Sequence, residues 1–431
     1  MRLRTTRRKK VAAAALAVLT TVTISGCSKA DREGADNAGG ASVPAGASKA
    51  DYQKAFADVE PIELDFQVAS ANPDAYSSMR DVEFAKSLEE WSDGKIKVKI
   101  HYAGSIAEPT ETPDALVDGR LDLAHYYTTY EPDKMQAYVE LSNSLSQVPS
   151  TPLIGGLVIN AAYQDMAFDT PEVREEFESR GMTLLAPASS FGVTELTCRS
   201  ERDSLKDFAK AQIRGNARAH ETQVAALGGT ISSVQLAEGY EAFQRGVLDC
   251  SLQAPATATS VGWLEVAPHV YFPREQGFAP GAGSLVAGAK WSELPLVAQQ
   301  LMWDRLREYL SAELYGSLQS ITDTAEVTAK NGGTLQYLDA ESEAALTESK
   351  EDLLDEVAGS EVLDGKALNA DVAESISTWT KTAKELGYTD DGGFEDFSTW
   401  YQGSADFNDR AYLQKFADRL FEETFLPERP E

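Results

Sequence analysis

Histidine and cysteine, the residues most often used to bind metals or attack substrates, are scarce in this chain: four and three in 431 residues. His101, His125, His220 and His269 are scattered without HxH, HxxxH or HExxH spacing, and neither a GxSxG elbow nor a phosphate-binding P-loop occurs. The nearest approach to a nucleophile turn, Gly281-Ala282-Gly283-Ser284, has Val286 where the turn needs glycine. These gaps argue against an enzyme, and no residue group calls for a metal or a cofactor. The repeats and all-β patterning of an adhesion module are missing as well. Positive charge is also short, with 39 Lys and Arg against 68 Asp and Glu and a net charge of −29. Such a surface repels nucleic acid and anionic lipid headgroups, but it leaves room for an anionic ligand in a locally basic pocket.

Basic residues concentrate at one end. Arg2, Arg4, Arg7, Arg8, Lys9 and Lys10 open the chain with no acid among them, an apolar run follows over 11–24, and Ser25-Gly26-Cys27 ends it. The run is too short to cross a hydrocarbon core of ~30 Å. A basic head, a short apolar middle and small residues at a break form a secretory signal. Ile24-Ser25-Gly26-Cys27 resembles a bacterial lipobox, which implies a signal peptide over 1–26 and a diacylglycerol on the Cys27 thiol. Two acyl chains give stable anchoring where one is marginal. The mature protein is then expected outside the cytoplasm and tied to the cell membrane, with a net charge of −35 once the six leader cations are removed. Cys198 and Cys250 remain in an oxidising compartment, as one disulfide or as two buried thiols. A bond between them would close a loop of about 50 residues and contribute roughly 4 kcal/mol in the chain-entropy view.

Residues 27–59 are rich in Ala, Gly, Ser, Asp and Lys without periodicity, and read as a flexible tether of roughly 30 Å reach. Order begins near Ile62. Residues 63–68 alternate as a strand, Phe84, Leu88 and Trp91 mark one helix face, and 95–100 form a second strand with lysines outward. A helix at 113–118 and a strand at 121–128 complete β-α-β-α-β, the signature of a sheet wrapped by helices. Further strands fall at 183–187, 193–199, 212–215, 230–234 and 247–252, with helices at 172–180, 218–227 and 238–245. A long helix at 294–330 follows, and helices dominate beyond it. Two stretches echo each other. Ala115-Leu116-Val117-Asp118-Gly119-Arg120-Leu121-Asp122 and Ala242-Phe243-Gln244-Arg245-Gly246-Val247-Leu248-Asp249 are each a short helix, a glycine free to take positive φ, an apolar residue and an aspartate entering a strand. Two copies point to two similar α/β lobes with a ligand cleft between them.

Several patches in fixed order resemble the substrate-binding proteins of tripartite ATP-independent periplasmic (TRAP) transporters. They are Phe84-Ala85-Lys86 with Asp93-Gly94-Lys95-Ile96, the stretch 115–124, Leu205-Lys206-Asp207 through Ile213-Arg214, Ala226-Leu227-Gly228-Gly229, the stretch 238–249, and Trp291-Ser292-Glu293-Leu294-Pro295. The resemblance covers roughly 63–333. It implies a two-lobed α/β fold of the periplasmic-binding-protein type (type II solute-binding) with a long connecting helix. Lobe I is expected over about 60–190 and lobe II over about 191–290. The whole body would span 60–390, followed by an aromatic-rich helical extension over 391–431 that docks on the body or meets a partner.

The function implied is capture of a small organic acid by a monomeric receptor that hands it to a small and a large membrane subunit. A receptor for an ATP-driven importer is the alternative. By the same resemblance Arg214 pairs with the ligand carboxylate, which suits its planar, permanently charged fork. Gln253 falls near a ligand-contacting position, and Leu236 stands where relatives carry a stacking phenylalanine. His125 and Tyr127 leave a lobe I strand toward the cleft, Tyr127 as a pocket wall. Trp263 serves the core or the ligand. Departures from the family pattern fall around Arg214: Gly215-Asn216-Ala217-Arg218 replaces a proline turn, which could bring Arg218 or His220 into the pocket. Thr194 stands where a second arginine is common, with Arg199 offset from it.

Overall fold

The short β-α-β units of the first third fold as their periodicity dictates. In the computed structural model, which describes residues 42–188, 192–215, 217–281 and 283–431, strands β1 (Ile62–Gln67) and β2 (Ile96–His101) pair in parallel around the helix Tyr76–Trp91. Strand β3 (Leu123–Tyr126) pairs in parallel on the other side of β1. Strand β4 (Thr183–Ala186) lies at the far edge of this sheet.

A second sheet follows, built from β5 (Glu195–Cys198), β6 (Gln212–Arg214), β7 (Thr230–Ser232), β8 (Cys250–Gln253) and β9 (His269–Phe272). The chain then returns to the first sheet: β10 (Ser284–Ala287) inserts antiparallel between β3 and β4. β11 (Leu335–Tyr337) closes the second sheet beside β9. The sheet orders are β2-β1-β3-β10-β4 for lobe I and β11-β9-β5-β8-β6-β7 for lobe II. The expected boundary of lobe II at about 290 is thereby corrected. The apolar run Ser284-Leu285-Val286-Ala287 is buried throughout, so it shows no alternation by which a strand could be recognised in sequence.

The internal echo is realised in both lobes. Gly119 and Gly246 both take positive φ, +80° and +75°. Asp122 Oδ2 accepts from the Asp65 N–H at 2.8 Å, and Asp249 Oδ2 accepts from the Gln212 N–H at 2.9 Å. Asp122 thus clips the middle of β1 and Asp249 the start of β6, each holding the neighbouring parallel strand. Cys198 and Cys250, register partners across β5 and β8, are joined by a disulfide.

The helix Leu296–Lys330 is 35 residues long, about 52 Å at 1.5 Å per residue. It packs on Tyr76–Trp91 of lobe I and on the helix Pro255–Ser260 of lobe II, so one rigid rod touches both lobes. Residues 391–431 dock on its side: Phe397, Phe416, Leu420 and Phe425 are buried, and the Trp303 indole donates to the Phe425 carbonyl at 2.7 Å.

The tether expected over 27–59 is corrected in its second half. Ser48 and Asp51 form a capping box that starts the helix Lys49–Ala55, and Tyr52 and Phe56 are fully buried. Tyr52 donates to Asp304 at 2.7 Å, Arg429 pairs with the same carboxylate at 2.7 Å, and Arg429 also donates to the Val43 carbonyl. The two ends of the body therefore meet on the first turns of the long helix. The signal peptide, Cys27 and the first part of the tether lie outside the described residues.

Candidate functional site

Strands β1, β2 and β3 run parallel in one lobe and β6, β7 and β8 in the other, so each sheet has an edge made of carboxyl ends, where ligands of open α/β sheets lie. Lobe I presents Tyr127 and the turn Thr128–Tyr130 there, directly after β3. Lobe II presents Arg214, Ser232 and Gln253, the last residues of β6, β7 and β8. A cavity of about 230 Å³ lies between the two edges, lined by Thr128, Thr129, Pro132 and Ser142 from lobe I and by Gly215, Arg218, Ile231 and Ser232 from lobe II.

Register decides what faces the site. Arg214 pairs with Ser251, and Glu195 pairs with Gln253. Because side chains alternate along a strand, Arg214, Ser251, Gln253, Glu195 and Thr197 share one face of the sheet. Leu196, Cys198, Ile213, Cys250 and Leu252 share the other, which forms the apolar core of lobe II.

Arg214 is 5% exposed. Its Nε donates to the Val234 carbonyl at 2.8 Å, while one terminal nitrogen has no partner among the described residues. The guanidinium lies 5.4 Å from the ring centre of Trp263, near enough for cation–π attraction. Trp263 is itself fixed by Gly239, where an added Cβ would stand 2.0 Å from the indole, so only glycine fits. Burial lowers the Arg214 pKa, and the Tyr130 phenol from lobe I partly offsets this across the cleft. A guanidinium nevertheless stays charged. A buried cation with an open donor is a ready seat for a carboxylate.

The other expected residues fall in different places. Gln253 is buried, and neither atom of its amide is hydrogen-bonded among the described residues. Tyr127 is half-buried at the lobe I edge, its ring stacked on His125, and burial raises its pKa. His125 itself does not reach the cleft wall. It is held inside lobe I with Nε2 2.7 Å from Asp81 Oδ1, and burial lowers its pKa despite that carboxylate. The polar partner inside the lobe overrides the outward direction expected for His125. Arg218 stands at the exposed rim, paired with Glu221 at 3.0 Å. Leu236 is half-buried and packs in the cluster around Trp263 and Phe243 rather than standing alone. His220 is buried, its Nε2 2.9 Å from the Ala279 carbonyl, with a pKa pushed down to about 4 by burial. The Thr194 hydroxyl donates to the same carbonyl at 3.1 Å.

Sequence reasoning passed over Glu195, Ser251 and Tyr130. Glu195 and Thr197 alternate with apolar neighbours, a pattern that reads as the solvent face of a half-buried strand. In the fold that face is covered.

Two α/β lobes joined by a long helix, with polar carboxyl edges meeting across a cavity, define a two-lobed solute-binding protein. Residues 68–360 match the family model of bacterial extracellular solute-binding protein family 7, and the chain belongs to that family, a class of receptors rather than of enzymes. No curated protein sequence matches it. Among solved structures it is similar to a marine-metagenome TRAP solute-binding protein specific for pyroglutamate, from an unidentified microbe. That likeness has a TM-score of 0.62 at 16% identity, over 73% of this chain and 99% of the other. It is also similar to DctP6, a Bordetella pertussis extracytoplasmic solute receptor binding pyroglutamic acid (0.60, 20%, 72% and 99%). A third is the sugar-acid-binding DctPAm of Advenella mimigardefordensis in complex with galactonate (0.59, 17%, 76% and 99%). At these identities the likeness is one of fold. No helix among the described residues is long and apolar enough to cross a membrane.

Proposed function

We propose that this protein is the extracytoplasmic receptor of a TRAP-type secondary transporter, that it binds a small organic acid between its lobes, and that Arg214 fixes the carboxylate. The observation that carries this reading is the open donor of a buried arginine at the carboxyl edge of lobe II. Uncompensated burial of a charge is costly, and a ligand carboxylate offsets that cost with two parallel hydrogen bonds. Tyr130 and Tyr127 supply a wall from lobe I, and Gln253 supplies an amide from lobe II. The acids bound by the similar structures, pyroglutamate and galactonate, share the carboxylate. The two lobes close on the ligand as a clamshell and then present it, as a monomer, to the small and large membrane subunits. In calorimetric titration with whatever acid co-purifies and is identified by mass spectrometry, Arg214→Ala weakens binding by about 2–5 kcal/mol. Unchanged affinity would refute the role.

The leader and Ile24-Ser25-Gly26-Cys27 support a lipid on Cys27 that keeps the receptor at the membrane near its importer. Cell fractionation tests this: wild type partitions with the membrane and Cys27→Ala is released. Equal retention of both would rule out the anchor.

A further inference from the structure

The polar face of the lobe II sheet holds a residue that a carboxylate on Arg214 leaves unexplained. Glu195 is fully buried in the middle of that face, and neither of its oxygens has a hydrogen-bond partner among the described residues. Beside it across β5 and β8 stands Gln253, and two residues back on the same face of β8 is Ser251; the Gln253 amide and the Ser251 hydroxyl are likewise unpaired among the described residues. Buried polar atoms in folded proteins are nearly all paired, so a row of them on one sheet face marks a surface made to meet something polar. Arg214 does not answer Glu195. The two residues lie two strands and one pleat apart, roughly 12 Å between Cα atoms, and burial alone accounts for the shift in the Glu195 pKa, up to about 8.

Resting on the organic-acid reading above, we propose that the ligand is amphoteric: its carboxylate sits on Arg214, and a nitrogen bearing N–H, an ammonium or an amide, donates to Glu195 two strands away on the same face. A plain monocarboxylate would satisfy Arg214 and leave Glu195 and Gln253 buried without partners, at full desolvation cost. A dicarboxylate would bury a second anion beside Glu195 with Arg214 already engaged by the first. A molecule of amino-acid size with an N–H group meets both ends, and the Gln253 amide, which both donates and accepts, serves the atoms between.

The test is a binding screen on the full-length protein. Each N–H acid is paired with a nitrogen-free isostere, beginning with 5-aminopentanoate against hexanoate and pyroglutamate against 3-oxocyclopentanecarboxylate. Wild type should bind N–H acids at least tenfold more tightly than their isosteres. Glu195→Met, which keeps the volume and removes the polar atoms, should erase that preference while leaving the isosteres unaffected. Glu195→Gln, which retains one acceptor, should restore part of it. Isosteres bound as tightly as N–H acids, with Arg214→Ala abolishing both, would overturn the amphoteric ligand and leave the organic-acid reading standing. Binding of no acid at all would overturn the two together. The wild-type comparison stands on its own should either Glu195 variant fail to fold.

Discussion

In lobe I the buried charges answer one another. Arg80 donates to Glu313 of the long helix at 3.0 Å, and His125 lies 2.7 Å from Asp81, all four side chains being at most 2% exposed. In lobe II the ionisable groups on the polar sheet face, Arg214 and Glu195, meet no opposite charge among the described residues, and their neighbours Gln253 and Ser251 have side chains unpaired there as well. Both lobes are built on the same αβ turn with the same aspartate clip, so the contrast does not come from the fold. It divides the labour: lobe I is bolted to the long helix, and lobe II keeps buried polar groups on its sheet face that have no partner among the described residues.

Breaking the lobe I bolt should lower stability on both sides of neutral pH. Glu313→Gln removes the nearer of two acids around the buried Arg80, with Asp81 remaining at 3.8 Å, and costs about 3 kcal/mol, the low end for breaking a buried pair. The chemical-denaturation midpoint should fall accordingly. A midpoint unmoved by the change would mean that the lobe I network is not what holds the helix.

Glu195 sharpens the other side of the comparison, with an effect that depends on pH. Its pKa rises from 4.5 to about 8 because burial penalises the charged form. The folded protein therefore holds this proton more tightly than the unfolded chain. That contribution to stability is fully present below pH 4.5 and is lost as pH rises toward 8, at about 1.4 kcal/mol per unit. Relative to Glu195→Gln, the wild type should lose stability steadily across that window and run parallel to the variant above it. His220 titrates in part of the same range, but it is common to both proteins and cancels in the difference. Parallel curves throughout would place Glu195 in contact with water or a partner.

Much of this architecture was legible because it is local. The Gly119 and Gly246 turns, each with its aspartate, are eight-residue patterns, and each strand they feed formed within a few residues of its expected bounds. Arg214 at a strand end was legible for the same reason. The helix Lys49–Ala55 carries its own signal in Ser48 and Asp51, but it sits in a composition that reads as linker, and only burial of Tyr52 and Phe56 against the long helix gives it an order worth keeping. Strand β10 had no legible signal, since a strand buried on both faces has no period to read.

The sequence by itself determined which chemistry is available: a permanently charged arginine closing a strand, an acid and an amide inside two others, and few residues suited to catalysis or metal binding. Only the tertiary structure decided which of these groups find partners. His125 and Arg80 meet acids brought by other elements, whereas Glu195 and Arg214 share a face with two strand spacings between them. Pairing of buried polar groups depends on residues 20 to 250 positions apart being brought within about 3 Å. Neither periodicity nor composition contains that distance, and the packing of helices on sheets and on one another supplies it, as for Arg80 and Glu313 on two different helices.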